Sequence, residues 1–166
     1  MPDGNQLTQE AGRLLKLKGL WLATAESCTG GLLGNLVTSV SGSSEYYLGG
    51  FITYSNLAKE RFLSVRSATL KSFGAVSRET VLEMARGVCE AFKEEQDIKK
   101  IIGISISGIA GPGGGTPLKP VGTVWIGISS EVGDKAASFH FVGDRVSIKN
   151  QTAQQALELL ISHLSQ

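Results

Sequence analysis

The run IIGISIS at residues 101–107 constrains the fold most. Such a short, largely apolar run is the pattern of a strand buried inside a sheet rather than laid along its surface. A strand of that kind needs helices to cover it, and the chain supplies them. Leu7, Ala11, Leu14 and Leu15 fall on one helical face, which predicts an opening amphipathic helix that ends near Gly19. Residues 20–25 read as a short buried strand. Leu32, Leu33, Leu36, Val37 and Val40 predict a second helix that stops at SGSS. YYLGGFITYS reads as a strand with a central glycine pair suited to a bulge, and NLAKERFLSV as a short helix or turn. Ser77 is an N-cap residue for a helix whose apolar face carries Val81, Leu82, Ala85, Val88, Cys89 and Phe92. VGTVWIGIS and AASFHFV, separated by EVGDK, predict a hairpin, and Ala153, Ala156, Leu157, Leu160, Ile161 and Leu164 line a closing helix. Helices alternate with strands, but the last strand pair is antiparallel. The fold class is therefore α/β, with a mixed sheet covered by helices.

A length of 166 residues suits one domain, taken here as 1–166, which buries roughly 70% of its unfolded surface without a disulfide or metal staple. The formal net charge is +1 and no run of Lys or Arg reaches five, so nucleic-acid binding has no electrostatic support. The densest basic pair, Lys99-Lys100, is expected to flank a strand. Cys28 and Cys89 have neither metal-ligand spacing nor a disulfide framework, and Cys89 is expected in the core. The N-terminus lacks an apolar signal core, and no apolar run approaches a membrane span. A cytoplasmic protein without a membrane partner is the expectation.

Three stretches carry more polar or glycine character than a connection needs. The first is TAESCTGG, residues 24–31, at the junction of a strand and a helix. Free N–H groups and the macrodipole at a helix N-terminus suit a phosphate or an oxyanion. Gly30 and Gly31 let backbone approach closely. The plainer reading, Ser27 or Thr29 as an N-cap, stands equally on these residues. The stretch matches neither GxSxG nor the phosphate-loop pattern. His140 and His163 have no motif around them and read as structural, so a Cys–His or Ser–His pair is poorly supported. The second stretch, TYSNLAK, places Tyr54 and Lys59 in a polar turn after an apolar strand. Lysine can activate serine when burial lowers its pKa, though Lys59 also fits a solvated helix turn. The third, SISGIAGPGGGTPLKPVGTV, puts glycine at four of positions 111–115 directly after the buried strand. Such a loop, with the turn at Gly108, can wrap a phosphate or ribose, or can be a flexible surface connection. Thr123 and Arg145 sit at element boundaries, as anion contacts or as caps and surface residues.

The order AESCTGG, GSSEYYLGGFITYSNLAK, GAVS, SISGIAGPGGG, KPVGTVWIGI and GDR resembles the CinA C-terminal family, over residues 7 to 162. That family includes stand-alone nicotinamide-nucleotide amidohydrolases. The resemblance implies a three-layer α/β/α sandwich and deamidation of nicotinamide mononucleotide to nicotinic acid mononucleotide. It implies Ser27 as nucleophile, Lys59 as its base and Tyr54 as support for the proton transfer, with no metal and no cofactor. The N–H groups near Thr29 and Gly30 then hold the oxyanion. From residue chemistry, Glu26 contacts the leaving carboxamide nitrogen or orients Lys59. The loop glycines Gly111 and Gly113, with Thr123 and Arg145, are candidates for the substrate's phosphate. A non-catalytic nucleotide- or partner-binding module is the alternative. In many relatives this domain follows a larger one that resembles molybdopterin-binding proteins, and a chain with the deamidase-like part alone is expected to be the free-standing enzyme. The Tyr-rich segment SSEYYLGG, with its exposed-aromatic character, raises a homodimer as an expectation.

Overall fold

The computed structural model describes residues 4–166. Its elements run α1 (Gly4–Lys18), β1 (Trp21–Glu26), α2 (Leu32–Thr38), β2 (Tyr47–Ile52), α3 (Asn56–Leu63), α4 (Ser67–Phe73), α5 (Arg78–Ala91), β3 (Ile101–Gly108), β4 (Thr123–Ser129), β5 (Lys135–His140) and α6 (Arg145–Leu164). The five strands form one sheet in the order β2-β1-β3-β4-β5. β2, β1 and β3 are parallel, whereas β4 pairs antiparallel with both β3 and β5, so the sheet is mixed as expected. The glycine pair of β2 does accompany an irregularity: the register slips beside Leu22 and Ala23, and Gly49 has φ 138°. Helix α4 is an element the periodicity does not reveal, because SATLKSF buries only Thr69 and Leu70.

Two cores lie on opposite faces of the sheet. Leu15, Leu33 and Leu157, from three helices, meet Ile102, Ile104 and Ile106 on one face. Leu63, Met84 and Val88 meet Ala23, Ala25 and Ile101 on the other. The alternation within IIGISIS explains the difference in depth. Large isoleucines face the first layer, whereas Gly103 and Ser105 let α5 settle close to the sheet. A Cβ on Gly103 would lie 2.2 Å from the Ala85 carbonyl oxygen, and Ser105 Oγ donates to the Val81 carbonyl at 2.5 Å. Small side chains on a strand are here what a helix needs to come into contact.

The segment SSEYYLGG is not an exposed aromatic patch. Tyr46 is only 2% exposed and packs so tightly against α1 that a Cβ on Gly12 would lie 2.6 Å from its ring. Tyr47 is half-buried and its hydroxyl shares a 2.8 Å hydrogen bond with Thr24 Oγ1. The observation behind the dimer expectation is thereby removed, since both rings are used within the fold. Cys89 lies in the core as expected, and His163 is buried with its Nε2 2.9 Å from Ser130 Oγ. No described helix is long and apolar enough to cross a membrane.

Candidate active site

The three parallel strands end side by side, and their ends are tied together. Ser27 N donates to the Ile106 carbonyl at 3.0 Å, and Thr53 N donates to the Glu26 carbonyl at 2.9 Å. Successive parallel strands fall on either side of β1, so a crevice opens at this edge, where open α/β sheets bind ligands. Ser27 is the first residue beyond β1. The turn that follows needs left-handed backbone at Gly30 (φ 62°) and Gly31 (φ 96°) before α2 begins.

Lys59 reaches this turn from α3. Ser55 caps that helix, its side chain accepting from Ala58 N at 3.1 Å, and this sets the helix start immediately after β2. The Lys59 side chain is 1% exposed. Its Nζ donates to Ser27 Oγ at 3.0 Å, to the Thr53 carbonyl at 2.8 Å and to the Tyr54 carbonyl at 3.4 Å. All three partners are neutral, and burial pulls the amine down from its usual range to about 8. A lysine so held carries roughly a tenth of its population as free amine at pH 7, enough to accept a proton from an adjacent hydroxyl. Burial pushes the neighbouring Cys28 thiol the other way, up to about 12, so Cys28 stays protonated at neutral pH.

Ser27, Lys59, Tyr54, Ser107, Gly108 and Arg145 line a cleft of about 170 Å³, with Ala75 and Val76 forming part of its apolar wall. Ser107 is buried at the end of β3, and the segment bearing Ala75 and Val76 is the GAVS motif. Ser105, Ser107 and the Gly108 turn favour a ligand modestly from the sequence, and of these Ser107 and Gly108 line the cleft, whereas Ala75 and Val76 are assigned no role from it. Ser107 stands in a polar break of an apolar strand, and that was the available signal.

Other sequence assignments are revised by the geometry. Glu26 is buried and accepts from Gly31 N (3.1 Å), Leu33 N (3.0 Å) and Gly34 N (2.8 Å), so its carboxylate caps α2 instead of facing the cleft. Three charge-assisted bonds and the helix dipole hold it there. The Gly31 N–H is therefore occupied, and Gly30 N–H donates to the Ser27 carbonyl at 3.0 Å. Among the described residues, the backbone N–H groups of Cys28 and Thr29 donate to no other residue. The available donors thus lie one position earlier than the expected Thr29–Gly30 pair. Thr29 itself is buried, with a hydroxyl that has no partner among the described residues.

Tyr54 is 62% exposed, and its hydroxyl accepts from Arg145 Nη2 at 2.9 Å. Its contact with Lys59 is through its backbone carbonyl, not the phenol. Arg145 Nη1 donates to the Gly111 carbonyl at 2.5 Å, so the glycine loop meets the site as an acceptor. Gly113 lies in open space, and Thr123 begins β4, where its N donates to Pro120 O and its O accepts from Ile109 N. Neither lines the cleft, because the loop folds back on its own stem. Among the described residues there is no group of three His, Cys, Asp or Glu side chains arranged to hold a metal.

A three-layer α/β/α protein with a buried serine–lysine pair where its parallel strands end is the class these features define. The chain belongs to the CinA C-terminal domain family, whose model matches residues 4–164. It is 44% identical over 155 residues to the nicotinamide-nucleotide amidohydrolase PncC of Enterobacter agglomerans, spanning 93% of this chain and 91% of that protein. It is 49% identical over 158 residues to a CinA-like protein of Chloroherpeton thalassium, covering 93% of this chain but only 36% of that longer one. Among solved structures it is similar to a CinA superfamily protein from Klebsiella pneumoniae, with a TM-score of 0.90, 34% identity and 99% of both chains covered.

Proposed function

We propose that this chain, acting as one domain, is an amidohydrolase that converts nicotinamide mononucleotide to nicotinic acid mononucleotide and ammonia. The observation that carries the reading is the 3.0 Å contact between Lys59 Nζ and Ser27 Oγ. The Enterobacter relative, a nicotinamide-nucleotide amidohydrolase that this chain matches over nearly its full length, supports the substrate class. A module that only bound nucleotides would have no use for a desolvated amine beside a hydroxyl.

The chemistry runs in two halves. Neutral Lys59 takes the Ser27 proton as Oγ attacks the carboxamide carbon. The oxyanion is met by the N–H groups of Cys28 and Thr29, which are the free donors beside Ser27. The tetrahedral intermediate collapses, the C–N bond breaks, and Lys59 returns its proton to the departing ammonia. Water then attacks the acyl ester, again giving a proton to Lys59, and the nicotinic acid product leaves as Ser27 Oγ regains a proton. Tyr54 and Arg145 form the outer wall of the cleft.

The test is ammonia release from nicotinamide mononucleotide by purified protein. Folded protein that releases none would overturn the proposal.

A further inference from the structure

The cleft holds about 170 Å³, below the roughly 300–1,000 Å³ of ordinary small-molecule sites. A pyridine mononucleotide with its carboxamide at Ser27 must leave its phosphate outside. Two cations of α6 lie close by: Arg145 lines the cleft, and Lys149 lies against the turn that follows Ser27. Arg145 has both terminal guanidinium nitrogens engaged, with Gly111 O and Tyr54 Oη. Lys149 is one turn further along the same helix and half-buried, and its ammonium has no hydrogen bond or ion pair among the described residues.

The position of that ammonium is specific. Gly30 closes the turn after Ser27, donating its N–H to the Ser27 carbonyl at 3.0 Å. A Cβ on Gly30 would find one atom within 4 Å, Lys149 Nζ at 3.7 Å. The ammonium thus lies in van der Waals range of the bare Gly30 backbone, with no side chain between them. The carboxylates nearest along the chain to Gly30 and to Lys149 are engaged elsewhere: Glu26 accepts three backbone N–H bonds, and Asp144 accepts from Ser147 N. A half-buried ammonium without a counterion, set against the turn that follows the nucleophile, is suited to an anionic group of the substrate.

We infer that Lys149, beside the Gly30 turn, binds the substrate's 5′-phosphate and sets the preference for the mononucleotide over the uncharged-tail riboside. The inference rests on the proposed deamidation for the substrate's identity. It makes Lys149 a binding residue with no part in proton transfer.

The test compares wild type, Lys149→Gln and Lys149→Arg on nicotinamide mononucleotide and nicotinamide riboside. Lys149→Gln is expected to raise KM for the mononucleotide about ten- to a hundredfold with kcat within about twofold, leaving kcat/KM for the riboside unchanged. Lys149→Arg should recover most of the loss. Equal losses on both substrates, or no loss on either, overturn the inference. Calorimetric binding of the mononucleotide and the riboside to Ser27→Ala, with and without Lys149→Gln, separates the two proposals. Phosphate-dependent binding lost on removing Lys149, in a protein whose wild type releases no ammonia, would keep the phosphate site and overturn the reaction. Mononucleotide binding indifferent to Lys149 overturns the site and leaves the reaction standing, and binding of neither compound overturns both.

Discussion

Lys59 Nζ and Ser27 Oγ lie 3.0 Å apart although 32 residues separate them in the chain. Two parallel strands bring them together: Ser27 follows β1, Lys59 lies in the first turn of the helix after β2, and Glu26 pairs with Ile52 across the two strand ends. The lysine is held by neutral oxygens alone, and this is what makes its proton available near neutrality.

The rate should follow the free amine. Burial lowers Lys59 to about 8, and the neutral form is the base, so kcat/KM should rise with pH up to about 8 and level above it. Lys59→Met should remove that limb and cost about three orders of magnitude or more in kcat, while Lys59→Arg should not restore it because arginine stays protonated. A pH–rate profile of the wild type, with a flat profile in the residual activity of Lys59→Met, is the check.

Ser27 and Cys28 are adjacent and chemically distinct. Ser27→Ala should abolish ammonia release by several orders of magnitude. Cys28→Ala should stay within a few-fold of wild type, because a thiol pushed up to about 12 supplies almost no thiolate at neutral pH. Alkylation with iodoacetamide at pH 7.5, followed by mass spectrometry, should leave Cys28 largely unmodified in the folded protein.

Tyr54 gives the pair a backbone carbonyl and gives Arg145 a phenol oxygen. Tyr54→Phe should therefore leave the pH limb near 8 in place and lower kcat by less than about tenfold, with KM moving more than kcat. A displaced limb would instead tie the phenol to Lys59.

Glu26 is predicted to act on stability. Glu26→Ala frees three N–H donors at the start of α2 and removes a carboxylate from the helix's positive end, which should cost about 2–4 kcal/mol. Urea denaturation measures this, and a loss below about 0.5 kcal/mol would show that the cap matters little.

Gly103→Ala tests the approach of α5 to the sheet. The new methyl would meet the Ala85 carbonyl oxygen at 2.2 Å, an overlap that only movement of the helix relieves. The expected cost is about 3 kcal/mol in unfolding free energy, seen as a lowered thermal midpoint.

Much of this molecule is legible in the amino-acid order, because its signals are local. The periodicity of Leu7 to Leu15, the Ser77 cap and the apolar run at 101–107 determine α1, α5 and β3 through side-chain spacing and backbone hydrogen bonding within a few residues. The motif order around Ser27, Tyr54 and Lys59 identifies the family and the candidates. What the tertiary structure decides is which groups are already engaged. Glu26 looks like a free carboxylate until the turn at Gly30 and Gly31 folds three N–H groups onto it. Tyr46 looks exposed until α1 covers it, and Lys59 looks solvated in AKER until β2 and β1 align and bury its ammonium against Ser27. Desolvation and long-range pairing depend on residues far apart in sequence, so the lowered pKa of Lys59 belongs to the fold and not to any stretch of the chain.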